Sequence, residues 1–188
     1  MALRIIAILP VIVVAAFIIT LSLPNADAAV DYFLKIEGIE GESKSEGHEK
    51  EIDVLSWSWG LAQACSPVAG GGGTTCKANF SDASFQKRLD KSSPKLFLAV
   101  ASGQHIPTAE LFGSNVAIKG ENEFLIIKMT DVLITSYQIG GSSGGDIPTD
   151  SISLNYAKIE FSYRPQKADG TLDSPVKAGW DIAKNTKI

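Results

Sequence analysis

Two stretches of the chain alternate apolar and polar residues, as strands with one buried face do, and then exchange faces partway along. Within Glu51–Gly60, Ile52 and Val54 share one parity and Leu55, Trp57 and Trp59 the other, with Ser56 and Ser58 on the face opposite the tryptophans. In residues 151–163, Ile152, Leu154 and Tyr156 give way to Ile159, Phe161 and Tyr163 at the opposite parity. Such a switch belongs to a strand that bulges, or that bends round a barrel and changes neighbours. Other segments read as strands too. Val30, Tyr32, Leu34 and Ile36 alternate with Asp31, Lys35 and Glu37 until Gly38 and Gly41, and Glu123 to Ile139 is rich in Ile, Leu, Val and Thr before Gly140-Gly141. The polar run from Glu42 to Lys50 reads as an exposed loop. One short helix interrupts the pattern, with Ser93 as the expected N-cap, Pro94 at the first helical position, an apolar run to Ala101 and Gly103 at the C-cap. Many strands and one helix predict a mainly all-β fold, a barrel or sandwich of antiparallel strands.

The first 28 residues do not share this pattern. They contribute 21 of the chain's hydrophobic residues, and without them the body falls to about 40% hydrophobic, ordinary for a globular domain. Arg4, the apolar stretch Ile5–Leu23, Pro24 and the small-residue sequence Ala26-Asp27-Ala28 compose a signal peptide cleaved between Ala28 and Ala29, or an uncleaved signal anchor. Residues 1–28 are thus read as an export segment and 29–188 as one domain. The product is expected to be secreted, periplasmic or extracellular after cleavage, or membrane-anchored through this segment alone. Arg4 and Asp27 cancel, so the body keeps the chain's net charge of −4. No Lys or Arg cluster offers the phosphate contacts that nucleic-acid binding requires.

Catalytic constellations are missing. His48 and His105 are the only histidines and neither has a second ligand at metal spacing, so both read as surface residues. The glycine runs, Gly70–Gly73 and Gly140–Gly145, lack the GK[ST] ending and the helix that a phosphate cradle needs. Glu121 and Glu123 read as solvated charges at a turn. No catalytic residue, metal or cofactor is assigned. The two cysteines, Cys65 and Cys76, bracket the first glycine run. They leave a disulfide or two free thiols as alternatives, and export favours the disulfide. A bridge closing a loop of this size would stabilise by roughly 3 kcal/mol. Trp57 and Trp59 read as core or as an aromatic anchor at a subunit boundary, with carbohydrate stacking a lesser alternative. The small polar face of Ser56 and Ser58 suits a wet surface or a lumen wall.

Three motifs, Val30-Asp31-Tyr32-Phe33-Leu34-Lys35-Ile36, Gly41-Glu42-Ser43-Lys44 and Glu51 through Gly60, together resemble the hemolysin-coregulated protein (Hcp) family, the tube proteins of type VI secretion systems. The likeness continues through Asp90-Lys91-Ser92-Ser93-Pro94, Ser102-Gly103-Gln104-His105, Tyr163 to Gly170 and Lys177-Ala178-Gly179-Trp180-Asp181, covering essentially all of 29–188. The resemblance implies a ring-forming β-barrel, typically hexameric, whose rings stack into a tube that carries effectors in its lumen. Its partners would be copies of itself, secreted effector proteins and other components of the secretion machine. It further implies that Ser58, and Ser56 beside it, contact the lumen and its effectors. Glu42, Ser43 and Lys44, with Gly71 and Gly72 of the Gly-rich loop, would contact neighbouring subunits or rings. Three features depart from the family pattern: the hydrophobic leader, the cysteine pair, and the segment Leu111–Asn115. Together they favour an alternative, an exported paralogue acting as a periplasmic or extracellular binding module outside the firing tube.

Overall fold

A computed structural model describes residues 30–67, 74–115, 123–145 and 147–188. The N-terminal segment with the expected cleavage site at Ala28 and Ala29, and Gly71 and Gly72 in the Gly-rich loop, lie outside the described residues. Six antiparallel strands close into a barrel: β1 (Val30–Ile36), β2 (Ile52–Ser58), β5 (Ala83–Arg88), β6 (His105–Asn115), β7 (Glu123–Gly140) and β8 (Thr149–Tyr163). The order β8-β5-β2-β1-β6-β7 returns on itself because β7 also pairs with β8, which leaves the barrel no open edge. Strand β9 (Val176–Asp181) adds to β8 outside the barrel and β10 (Thr186–Lys187) adds to β9. Strands β3 (Leu61–Pro67) and β4 (Thr74–Phe80) pair only with each other, as a separate two-stranded sheet. Leu34, Ile52, Leu111, Met129 and Leu154 fill the interior.

Both parity switches have physical causes. In β2 the register against β5 shifts between Val54 and Ser56, a bulge that turns Leu55 outward to 50% exposure and brings Trp57 inward. Leu55 therefore does not share a buried face with the tryptophans. Strand β8 changes neighbours: residues 149–154 pair with β5, and 158–163 pair with β9. Opposite the switch, Asp131 of β7 sits at a φ of 54°, and buried side chains pass from Met129 to Val132. A left-handed residue inside a strand kinks it, and both strands turn their faces over at this corner. The segment Leu111–Asn115 is strand within β6, paired in continuous register to β1 and, with a register shift between Gly113 and Ser114, to β7.

Helix α1 (Ser93–Ser102) ends as expected, with Gly103 left-handed at φ 64° and its N–H turned back to Ala99 and Val100. Its start differs. Ser92, not Ser93, holds the N-cap position, and neither serine caps the helix with its side chain. Their hydroxyls serve a buried polar cluster instead. Leu96 and Ala99 pack on the barrel, while Phe97 and Leu98 remain 57% and 61% exposed.

The polar run after Gly41 is not a free loop. Ser43 N–H donates to Glu51 O at 3.0 Å and Lys50 N–H to Ser43 O at 2.9 Å, folding the segment onto the start of β2. His48, far from being a surface residue, is buried. It stacks on Phe33 with ring centroids 4.1 Å apart, and its Nδ1 lies 2.8 Å from Glu51 Oε2. Glu123, at the start of β7, approaches His48 Nε2 at 3.6 Å. Burial pushes the Glu51 carboxyl above its ordinary value, against the lowering effect of His48.

Candidate functional site: a small polar wall and an apolar cleft

Where β2, β5, β8 and β7 lie side by side, alternation sends one set of side chains inward and the next outward. The inward row is apolar: Trp57, Phe85, Ile152 and Tyr137 are register partners across the four strands. The outward set forms two rows, Ser58–Ser84–Ser153–Ser136 and Ser56–Gln86–Ser151–Gln138, each aligned by the same pairings. Ser56 Oγ donates to Gln86 Oε1 at 3.1 Å, and the Ser84 and Ser153 hydroxyls are 3.3 Å apart. All eight side chains are uncharged and six are serines. Such a wall presents hydrogen-bonding groups without bulk, charge or an apolar patch. Ser56 and Ser58 are the two members named from sequence. The other six carry the same signal, a small polar residue alternating with an apolar one, in Ser84-Phe85-Gln86, Ser136-Tyr137-Gln138 and Ser151-Ile152-Ser153. Their assembly into one surface depends on cross-strand register.

A different surface lies at the far end of β8. Trp59, Phe80, Phe161 and Trp180 line an apolar cleft of about 460 Å³ between the β3–β4 hairpin and the β8–β9 extension. Leu61 at its rim is 55% exposed. Trp57 and Trp59 thus part company. Trp57 packs edge-on against Tyr32 with centroids 5.7 Å apart, while Trp59 forms a wall of the cleft. The Trp59 indole N–H donates to the Tyr156 hydroxyl, which donates to Ser81 O at 3.0 Å. Burial away from water pushes the Tyr156 phenol up to about 12, the Trp59 hydrogen bond opposing and the Asp82 charge adding to it. The raised value favours the neutral phenol in the folded state. Its contribution to stability is therefore complete below the ordinary tyrosine value of about 10 and lost as pH rises through about 12. An ultraviolet titration at phenolate wavelengths should show a late step near pH 12 that Tyr156→Phe removes. An unchanged profile in the variant would assign that step elsewhere.

The cysteines meet as anticipated. Cys65 and Cys76 are register partners in the β3–β4 hairpin and form a disulfide within the chain. Among the loop candidates, Glu42 Oε1 accepts from Lys91 N–H at 3.1 Å and ties the loop to the approach of α1. Lys44 is exposed, whereas Ser43 is buried and its hydroxyl accepts from Ser45 N–H at 3.3 Å. The Ser43 side chain therefore serves the loop's own shape. Among the described residues, no group of three or more His, Cys, Asp or Glu is placed to hold a metal, and no helix is long and apolar enough to cross a membrane.

Comparisons with known proteins converge on one group. Residues 33–163 match the family model described as type VI secretion system effector, Hcp. The chain is 47% identical over 160 residues to Protein hcp1 of Pseudomonas aeruginosa, an alignment spanning 85% of this chain and 99% of that protein. A solved structure of a type six secretion system protein superposes with a TM-score of 0.78 at 34% identity, covering 85% of this chain and all of the other. Hcp1 from Salmonella typhimurium gives 0.70 at 33% identity, over 85% of this chain and 99% of its own.

Proposed function

The chain belongs to the Hcp family of type VI secretion system effectors, and from that premise we propose that it is a structural ring subunit of a secretion tube. Six copies close into a ring, rings stack, and the lumen carries secreted effector proteins. The observation that carries this reading is the pair of uncharged serine and glutamine rows spread across four adjacent strands. Set side by side in a ring, such faces make a lumen wall with no charge to trap cargo and no apolar patch to unfold it. Ser58 and Ser56 belong to that wall. The polypeptide acts as a scaffold and not as a catalyst.

Ring closure requires two different surfaces on one chain that fit each other, since a head-to-tail contact that rotates shut produces a ring. Two exposed apolar surfaces lie toward opposite ends of β8. One is the cleft with Leu61 and Phe161, beside the half of β8 that pairs with β9. The other is the outer face of α1, where Phe97 meets Tyr137, itself paired with Ile152 near the start of β8. We assign the cleft to a second copy of this chain, entered by Phe97 and Leu98. Electron microscopy with light scattering tests this reading. Six-fold rings are expected, and Leu98→Asp should raise the concentration needed to assemble by about thirtyfold, as loss of an interface anchor does. Ser153→Trp should leave rings intact and fill the lumen wall. A strict monomer at high concentration would refute the proposal.

The disulfide and the leader favour a place of work outside the cytoplasm. They support, as a second reading, an exported member of the family that assembles or binds partners apart from the firing tube. Comparing ring formation in periplasmic and cytoplasmic fractions of the same cells separates the two.

A further inference from the structure

The β3–β4 hairpin is an arm held almost entirely by itself. Its seven register pairs, from Leu61–Phe80 to Pro67–Thr74, involve no other strand. At the base it is clasped: Ser81 N–H donates to Gly60 O at 3.0 Å, and Gly60 N–H donates to Ser81 Oγ at 2.9 Å. Beyond the base, Ala62, Gln63, Ala64 and Cys65 are exposed. An isolated two-stranded ribbon without a core is at best marginal in water. With residues 61–65 all exposed, little burial selects one register over another, and a slip by one residue would send the opposite face toward the cleft.

Register places the disulfide where it counters both weaknesses. Leu61 with Phe80, Gln63 with Ala78, and Cys65 with Cys76 are successive pairs on one face of the ribbon. Phe80, Ala78 and Cys76 line the apolar cleft, so this is the face presented to the cleft. The covalent link is the fifth register pair out from the base, and it fixes register along the whole face between. We propose that Cys65–Cys76 is the positioning element of the subunit interface, holding the arm in its binding shape before a second copy arrives. Assembly is then stronger when this bond is formed than when it is open. The inference rests on the ring reading, and on the second copy as occupant of the cleft.

The chemistry is ordinary thiol–disulfide exchange. A dithiol such as dithiothreitol attacks one cysteine sulfur, breaking the Sγ–Sγ bond and forming a mixed disulfide, and its second thiol then closes onto the first, breaking that mixed disulfide. Both cysteines leave as protonated thiols and the reagent leaves as a cyclic disulfide. Without the link, a copy must order the arm while docking, and that lost freedom subtracts from affinity.

The test uses the full-length chain as purified, compared with the same protein reduced and alkylated, and with the Cys65→Ser/Cys76→Ser double variant. Light scattering over a concentration series measures the assembly midpoint. Hydrogen exchange reads residues 61–67 and 74–80 below that midpoint. Circular dichroism confirms that the barrel persists in all three. The reduced protein and the double variant should both need on the order of tenfold more protein to assemble, with rapid exchange in the arm alone. Reoxidation of reduced, unalkylated protein should restore the native midpoint, while the double variant stays insensitive to oxidant. An unchanged midpoint, an arm equally protected with and without the bond, or disulfide-linked dimers on a non-reducing gel would each overturn the proposal. If no form assembles at any concentration, the ring reading fails and this inference with it. Rings of equal strength in all forms would overturn the inference alone.

Discussion

Asp150→Ala should lose about 3 kcal/mol of stability in denaturant unfolding, the cost of breaking a buried ion pair, with Asp90 left as the remaining carboxylate partner of the Lys87 ammonium. Lys87 is fully buried on β5, and its register partner across β8 is Asp150, also fully buried. The Lys87 ammonium donates to Asp150 Oδ2 at 3.0 Å, Asp90 Oδ1 at 2.8 Å, Ser93 Oγ at 2.9 Å and Arg88 O at 2.8 Å. Ser93 also donates its hydroxyl to Asp150, and Asp90 N–H donates to Ser93 Oγ at 3.2 Å. One cation therefore joins two barrel strands to the first turn of α1. Removing Asp150 strips away its only carboxylate partner from β8 and loosens the helix. For a domain of this size the loss lowers Tm by on the order of 10 °C. The paired replacement Lys87→Met/Asp150→Leu should cost less than either single change, because it removes both desolvated charges together. A single-variant loss below about 1 kcal/mol would mean that water reaches the cluster.

This cluster marks where sequence reasoning stops. Alternation and its reversal are local, so Glu51–Gly60 and 151–163 read as strands that bulge or bend, and the count of such strands beside one helix points to a barrel or sandwich. Gly103 was equally plain, because a helix end needs one left-handed residue and glycine supplies it without strain. Ser93 misled for a physical reason. A serine before Pro94 suits an N-cap, but a buried lysine six residues earlier in the chain competes for its hydroxyl. His48 misled in the same way, since the polar residues around it gave no sign that Phe33 would form its floor. The serine and glutamine wall lies between these cases. Ser56 and Ser58 announce themselves, but the remaining six members become one surface only through pairings between strands distant in the chain.

Gly41→Ala should be the most damaging single methyl in the loop that follows β1, costing on the order of 3 kcal/mol, the upper range for overpacking a site that cannot give. A Cβ at this position would stand 2.3 Å from the Glu51 carbonyl oxygen and 2.7 Å from Ile52 Cα, both main-chain atoms of the neighbouring segment. A side chain in the way could rotate; a backbone cannot. The close approach exists because Gly41 N–H donates to Lys50 O at 2.7 Å while Ser43 and Glu51 bond alongside. Separating the two segments would break these bonds together and lift the covering over His48. The same movement would pull Glu42 and Glu40 away from Lys91, which they hold at 3.1 and 3.2 Å beside α1. The variant should therefore show two further effects at positions the methyl never touches: early tryptic cleavage after Lys44 or Lys50, and a His48 ring resonance shifted toward that of an exposed imidazole. Alanine at a merely flexible glycine would leave both unchanged, and that outcome would deny Gly41 its role. Because Leu98 lies on the helix that this loop braces, Gly41→Ala should also weaken ring formation while the barrel strands stay protected from hydrogen exchange.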